Sequence, residues 1–474
     1  MDSSEDHVSG AASEFHCRPS ITKVLNAAQQ AFSTLKQSPV KSGRKSRDDS
    51  SGFACFIIMV LIIVIIVQLW LFSLLYIQLK HRKDGEKKTE EKENIFVLPS
   101  EYRLPRNVTP LSYELVLKIY LPFYVDFPKE KNLTVDGEVR INMLVRESTN
   151  VIVLNQAGIS IEKEKCSVYS HDNAFVVERL DYDHTHERVS FYLNDVLPSG
   201  QTATLKVSYT ARVLNGTYGL YQNLYVSNNK IKIAAVTKME PTSARKLVPC
   251  FDEPDFKAVW KVTIVHPVGT TAIANAMELD VSNEPGGEWK KSAFKPTPIM
   301  SSYLLAVFVS EFTYNEARTN RGVRVRLWSA PGSESQRDYG LKVATTALST
   351  FEKYFGLNEV MLKQDLVALE NFGSGAMENW GLITFRRKYL LDLAVPNASL
   401  TSEEQSSFLL NKYNRHMDIE SVVTHELTHQ WFGNLVTLAW WEELWLNEGF
   451  AAYFENLRLV SPGDDELAIV SYYL

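Results

Sequence analysis

The sequence predicts an α+β multidomain chain: a single N-terminal transmembrane helix, an all-β ectodomain, and then an α/β domain carrying a metal-binding helix. Three observations lead there. Phe53–Leu79 runs 27 residues without a charge. From about Pro99 apolar residues recur with period two, the signature of strands. After about Thr313 helical periodicity joins the strands, and the run His425-Glu-Leu-Thr-His429 appears.

Residues 1–51 are rich in Ser, Asp, Lys and Arg with few aromatics, which predicts a disordered cytosolic tail. Its basic run 41–47 either touches anionic headgroups or is simply solvated. Residues 52–79 are long and apolar enough to span a bilayer, with Trp70 and Tyr76 suited to the outer interface. The segment starts too late and is too long for a cleaved signal peptide. Lysines and arginines flank it on both sides, so the positive-inside rule does not orient it. The sequons at Asn107, Asn132, Asn215 and Asn397 all follow the span. The expectation is a type II signal-anchor in the plasma membrane, with a glycosylated bulk outside. Residues 80–98 form a charged stalk that cannot bury much apolar surface.

Residues 99–312 read as the β-rich part. Candidate strands are Ser112–Tyr120, Val135–Val145, Val151–Leu154, Arg188–Leu193, Ala203–Tyr209, Ile231–Val236, Ala258–Val265 and Ser302–Phe308, with Pro, Gly and Asn between them. Of the four cysteines only Cys166 and Cys250 fall here, which is no disulfide framework. The net charge of −6 and the lack of a basic face exclude a nucleic-acid partner.

Residues 313–474 read as mixed α/β. Val323–Trp328 and Val367–Leu369 are candidate strands, Tyr339–Phe355 an amphipathic helix, and Glu443–Leu457 a second helix. Two histidines four apart lie on one face of a helix, so His425 and His429 can reach one tetrahedral Zn²⁺. Glu426 between them is placed to act as general base on a water at the metal. A catalytic zinc needs a third protein ligand, and Glu448 in Trp445-Leu-Asn-Glu448 is the candidate.

Together with Gly375-Ala-Met-Glu-Asn379, Trp440-Trp441 and Glu240-Pro-Thr-Ser-Ala-Arg-Lys-Leu-Val-Pro-Cys-Phe-Asp-Glu-Pro254, these stretches resemble the gluzincin zinc aminopeptidases of the aminopeptidase N type. The resemblance runs from about Pro99 to the last residue. It implies a thermolysin-like catalytic domain, one zinc per chain, and peptide substrates with a free N-terminus at the cell surface or lumenal side. It leaves a homodimer open. It implies that Glu378 and Glu240 hold the substrate's α-ammonium and that Gly375, Ala376, Met377 and Asn379 line the peptide. Without the resemblance, Glu378 and Glu240 are merely acidic residues in loops.

The sequence departs from the family pattern in three ways. Lys238 stands where many relatives carry Gln or Asp, at a position lining the pocket for the first substrate side chain. There it would favour an acidic first residue, block the pocket, or point to solvent. Phe385-Arg-Arg387 replaces a usual Tyr-Arg-Glu. Finally, relatives place an oxyanion-stabilising tyrosine further along than the 49 residues that follow His425. The expectation is therefore a catalytic domain incomplete at Leu474, with zinc helices loosely backed and turnover weak. The rival expectation is a non-catalytic membrane ectodomain that binds peptides or acts as a dominant-negative partner.

Overall fold

The period-two runs become sheets because alternate side chains face a common core. Val139 on strand Thr134–Val145 pairs with Leu115 on Val108–Ile119 and with Val207 on Thr202–Arg212. Leu115 in turn faces Val262 on the parallel strand Val259–Pro267. All four residues of this row are buried. The computed structural model describes residues 102–171, 173–227, 229–396 and 401–456. The expected tail, membrane span and stalk, and the sequon at Asn397, lie outside them. Among the described residues no helix is long and apolar enough to cross a membrane.

Four sheets are present among the described residues. The nine-stranded sheet contains the row just described, and a three-stranded sheet joins Thr149–Asn155, Arg188–Leu197 and Val177–Asp183. A four-stranded sheet orders Gly219–Ser227, Lys230–Lys238, Val307–Ser310 and Thr271–Ala274. Its second strand ends at Lys238, two residues before Glu240. The five-stranded sheet begins at Thr313 and orders Thr313–Arg318, Arg324–Ser329, Lys363–Leu369, Leu382–Arg386 and Ala376–Met377.

Among the corrections to the strands, two adjoin Lys230–Lys238. Ser302–Leu304 is a 3-10 turn, and the strand begins only at Val307. Gly219–Ser227, which sequence reading passed over, pairs along its whole length with Lys230–Lys238. Cys166 and Cys250 are both free thiols, and Cys250 is buried.

Three α-helices follow among the described residues. Helix α1, Asp338–Phe355, connects the parallel strands Arg324–Ser329 and Lys363–Leu369, the crossover that parallel pairing requires. It ends at Gly356, whose left-handed φ of 62° a glycine accepts without strain. Helix α2, Ser402–Thr428, is longer than the motif alone indicates. It starts with a capping box: Thr401 Oγ1 accepts from Glu404 N at 3.3 Å, and Glu404 Oε2 accepts from Thr401 N at 2.9 Å. Helix α3 covers Trp445–Phe454, with a 3-10 turn over Trp441–Glu443, so the second expected helix is shorter and starts later than Glu443.

An aromatic cluster locks the three helices. Phe355 of α1 stands 5.2 Å from Trp431 and 5.1 Å from Phe454 between ring centroids, and Phe432 stacks on Phe450 at 4.4 Å. The expected loose backing is thus corrected on one side, where α1 supplies a packed layer. On other faces Leu409, Leu410, Tyr413 and Trp445 are exposed, Trp445 at 67%.

Candidate metal centre and adjoining carboxylate cluster

Helix α2 ends at the site, since His425 and Glu426 lie in its last turn and His429 is its C-cap. The His429 Nε2 to His425 Nε2 distance is 3.2 Å. Glu448 Oε2 from α3 lies 3.4 Å from His425 Nε2 and 3.8 Å from His429 Nε2. Donors about 2.0–2.1 Å from a tetrahedral ion stand about 3.3 Å apart, so this triangle fits zinc.

The ring orientations agree. His429 Nδ1 donates to the Phe432 carbonyl at 2.9 Å, and His425 Nδ1 donates to Glu455 Oε2 at 2.7 Å. Each bond puts the proton on Nδ1 and turns the Nε2 lone pair toward the common point. The turn under His429 needs Gly433. Its φ is 122°, and a Cβ there would sit 3.3 Å from His429 Nδ1.

Glu426 is buried, and its Oε2 has no hydrogen-bond partner among the described residues. Burial, then the nearby charge of Glu378, pushes its carboxyl well above the usual range. Burial draws the His425 imidazole down, but hydrogen bonds to Glu448 and Glu455 outweigh it and push it up to about 10 in the metal-free protein. Burial holds His429 below the ordinary histidine value.

The Gly375–Asn379 stretch lies across this centre. Ala376–Met377 pairs antiparallel with Phe385 and Thr384. The Glu378 carbonyl accepts from Asn434 Nδ2 at 2.8 Å and Gln430 Nε2 at 3.4 Å, which ties the stretch to the turn after α2. Carboxylate oxygens of Glu240, Glu378 and Glu448 lie within 4.8 Å of one another, as do the ligand atoms of His425, His429 and Glu448. The two triads share Glu448. Burial, then Glu378, raises Glu240 to about 8, and burial, then Glu448, raises Glu378 to about 7. Crowded acids of this kind call for cations. The peptide bond between Glu240 and Pro241 is cis.

Of the site residues expected from the sequence, His425, Glu426, His429, Glu448, Glu240, Glu378, Lys238 and Met377 gather in one place, while Gly375 packs near Tyr389 and Asn379 Nδ2 reaches Thr384 Oγ1 at 3.5 Å. Lys238 does not face solvent: it is 7% exposed, and its Nζ lies 3.1 Å from Ser374 Oγ and 3.9 Å from Glu240 Oε2. Arg387 pairs with Glu370 at 2.7 Å, so a surface acid meets its extra charge. Sequence reasoning missed Glu455, Asn434 and Gln430, which act through contacts that no local spacing announces. It also missed Lys257, whose Nζ donates to the Asn434 and Leu435 carbonyls at 3.1 and 3.2 Å.

Comparison with known proteins gives the same assignment. Residues 109–304 match the peptidase M1 N-terminal domain and residues 339–467 the peptidase family M1 domain, together more than half of the chain. Aminopeptidase N of Haemonchus contortus is 43% identical over 376 residues, 79% of this chain and 37% of that protein. Aminopeptidase N of Rattus norvegicus is 35% identical over 375 residues, covering 76% and 36%. Aminopeptidase M1-A of Oryza sativa subsp. japonica is 36% identical over 357 residues, covering 75% and 38%. The chain spans a little over a third of the length of these relatives. With two triads fitted to cations and both domain models matched in order, the chain belongs to the M1 family of peptidases.

Proposed function

We propose that this chain carries the working site of a zinc aminopeptidase, which removes first residues from peptides. One observation carries the reading: a nitrogen-rich triad and an all-carboxylate triad share Glu448. The first suits zinc, held by His425, His429 and Glu448. The second, through Glu240 and Glu378, suits the α-ammonium that marks a peptide's free end. An endopeptidase has no use for that second cation hole.

Zinc, when bound, supplies Lewis-acid polarisation and lowers the pKa of a nearby water. The protein residues do the rest. Glu240 and Glu378 fix the ammonium, so the first peptide carbonyl falls near Glu426. The backbone of Gly375–Met377 and the Asn379 side chain line the peptide. Glu426 Oε2 takes a proton from the water attacking that carbonyl and passes it to the departing nitrogen. Its burial without a partner leaves that oxygen available.

The wider setting belongs to the same proposal. Residues 1–51 lie in the cytosol, 52–79 anchor the chain as a type II plasma-membrane protein, and 80–98 form a stalk. The β-rich domain ends near 312, supported by the five-stranded sheet that starts at Thr313, and 313–474 belong to the catalytic domain. Asn132 and Asn215 are exposed and suited to glycans.

The test compares wild type with Glu426→Gln for zinc content and for turnover of an aminoacyl amide. The expected result is about one zinc per chain in both and turnover only in wild type, lost on chelation. Turnover that survives in Glu426→Gln contradicts the assigned proton path.

A further inference from the structure

We propose that Lys238 selects peptides whose first residue is acidic, aspartate or glutamate. The inference rests on the amine-binding reading of Glu240 and Glu378. Lys238 ends the strand Lys230–Lys238, and its ammonium is turned into the site rather than outward. Nζ carries three N–H groups. One reaches Ser374 Oγ at 3.1 Å; Met377 Sδ lies at 4.0 Å and Glu240 Oε2 at 3.9 Å. The faces of Phe372 and Tyr218 stand 5.4 and 6.0 Å away, walls that cover the cation without neutralising it.

The charges then decide the substrate. An ammonium hydrogen-bonded to Glu240 at about 2.8 Å lies within about 7 Å of Nζ, since Nζ is 3.9 Å from the same carboxylate. Two cations would then stand on either side of Glu240, with Glu378 taken up by the substrate's ammonium. An acidic first side chain, branching one carbon from that ammonium, brings its own counter-charge to Nζ and relieves the repulsion. A basic first side chain adds a third cation. A neutral one does neither.

The experiment titrates the full 474-residue chain, loaded with Zn²⁺, with Glu-Ala-Ala, Gln-Ala-Ala, Lys-Ala-Ala and N-acetyl-Glu-Ala-Ala by calorimetry. The expected order is Glu above Gln above Lys, with Glu over Lys by at least about tenfold. Lys238→Gln should bring that ratio close to one by weakening the Glu peptide, and Lys238→Arg should keep it. A wild-type ratio near one, or a ratio unchanged in Lys238→Gln, overturns the inference. So does a uniform gain for all free-amine peptides in Lys238→Gln, which marks Lys238 as a plug. Acetylated peptide binding as well as its free counterpart, or no peptide binding at all, removes the amine site itself and the inference with it. Amine-dependent binding without charge preference removes only the inference.

Discussion

Two sets of buried charges in this protein, one around Asp365 and one around Glu378, solve opposite problems. Around Asp365 the charges cancel within the protein. Arg326 Nε meets Asp365 Oδ1 at 2.7 Å, Lys363 Nζ meets Oδ2 at 2.6 Å, and Trp328 Nε1 donates to Oδ1 at 2.9 Å. Burial raises the Asp365 carboxyl, but Lys363 and Arg326 outweigh it and hold it below the usual range. Around Glu378 the acids outnumber the cation: one ammonium, Lys238 Nζ at 3.9 Å from Glu240 Oε2, stands beside the carboxylates of Glu240, Glu378 and Glu448. Burial pushes Glu240, Glu378 and Glu426 all up, helped by Glu378 at Glu240 and Glu426 and by Glu448 at Glu378. A buried acid that brings its own cations is structural, whereas a buried group of acids short of cations is a site for external ones.

That contrast breaks most sharply under single neutralising substitutions. Asp365→Asn strands the buried Lys363 ammonium and leaves Arg326 with Glu278 alone, so a loss of about 3–5 kcal/mol is expected in urea unfolding. Glu378→Gln removes one of several repelling acids, so the metal-free protein should hold steady or gain about 1 kcal/mol while losing function. Equal losses in the two variants would erase the distinction.

His266 sharpens the contrast with a third kind of buried ionisable group, one kept neutral. Its ring nitrogens bond Thr270 Oγ1 at 2.8 Å and Ser292 Oγ at 2.9 Å, and burial, with help from Lys290, lowers its pKa to about 4. The folded value lies below the unfolded one of about 6.5, so acid protonates the unfolded chain first. The His266 contribution is intact above pH 6.5 and lost as pH falls toward 4. Between pH 7 and pH 4, wild type should lose about 2–3 kcal/mol more stability than His266→Gln. Parallel profiles would place the acid sensitivity elsewhere.

The smallest expected effect tests how the metal triad is held. Glu455 is not itself a ligand, but it accepts from His425 Nδ1 at 2.7 Å and so fixes that ring's proton there. Glu455→Ala should weaken zinc binding about 10- to 100-fold in a chelator competition, with far-ultraviolet circular dichroism unchanged. Wild-type zinc affinity would show that His425 needs no such partner.

The sequence disclosed what is local and withheld what is tertiary. His425, Glu426 and His429 sit within one helical turn and a half, so their spacing alone placed them together. Glu448 was legible as the third ligand that a catalytic zinc needs, whereas Glu378 and Glu240 were legible only through resemblance, because separate elements deliver them. The row Leu115, Val139, Val207 and Val262 was legible as alternation, though not its register. Glu455 lies 30 residues from its histidine on another helix, and no spacing rule reaches that far. Arg326 fell within the expected strand Val323–Trp328, but Lys363 and Asp365 lay before the expected Val367–Leu369; only parallel pairing of Arg324–Ser329 with Lys363–Leu369 makes the three neighbours. The Thr401–Glu404 capping box was written in the sequence and marks the true start of α2.

The central claim is that the uncancelled acids beside the metal triad exist to hold a peptide's free amine. Its most direct test titrates the zinc-loaded protein with Ala-Ala-Ala and N-acetyl-Ala-Ala-Ala. The account predicts that the free-amine peptide binds at least about tenfold more tightly, and that Glu378→Gln, with zinc still bound, abolishes the difference. Equal affinity of the two peptides for the wild-type protein would contradict it.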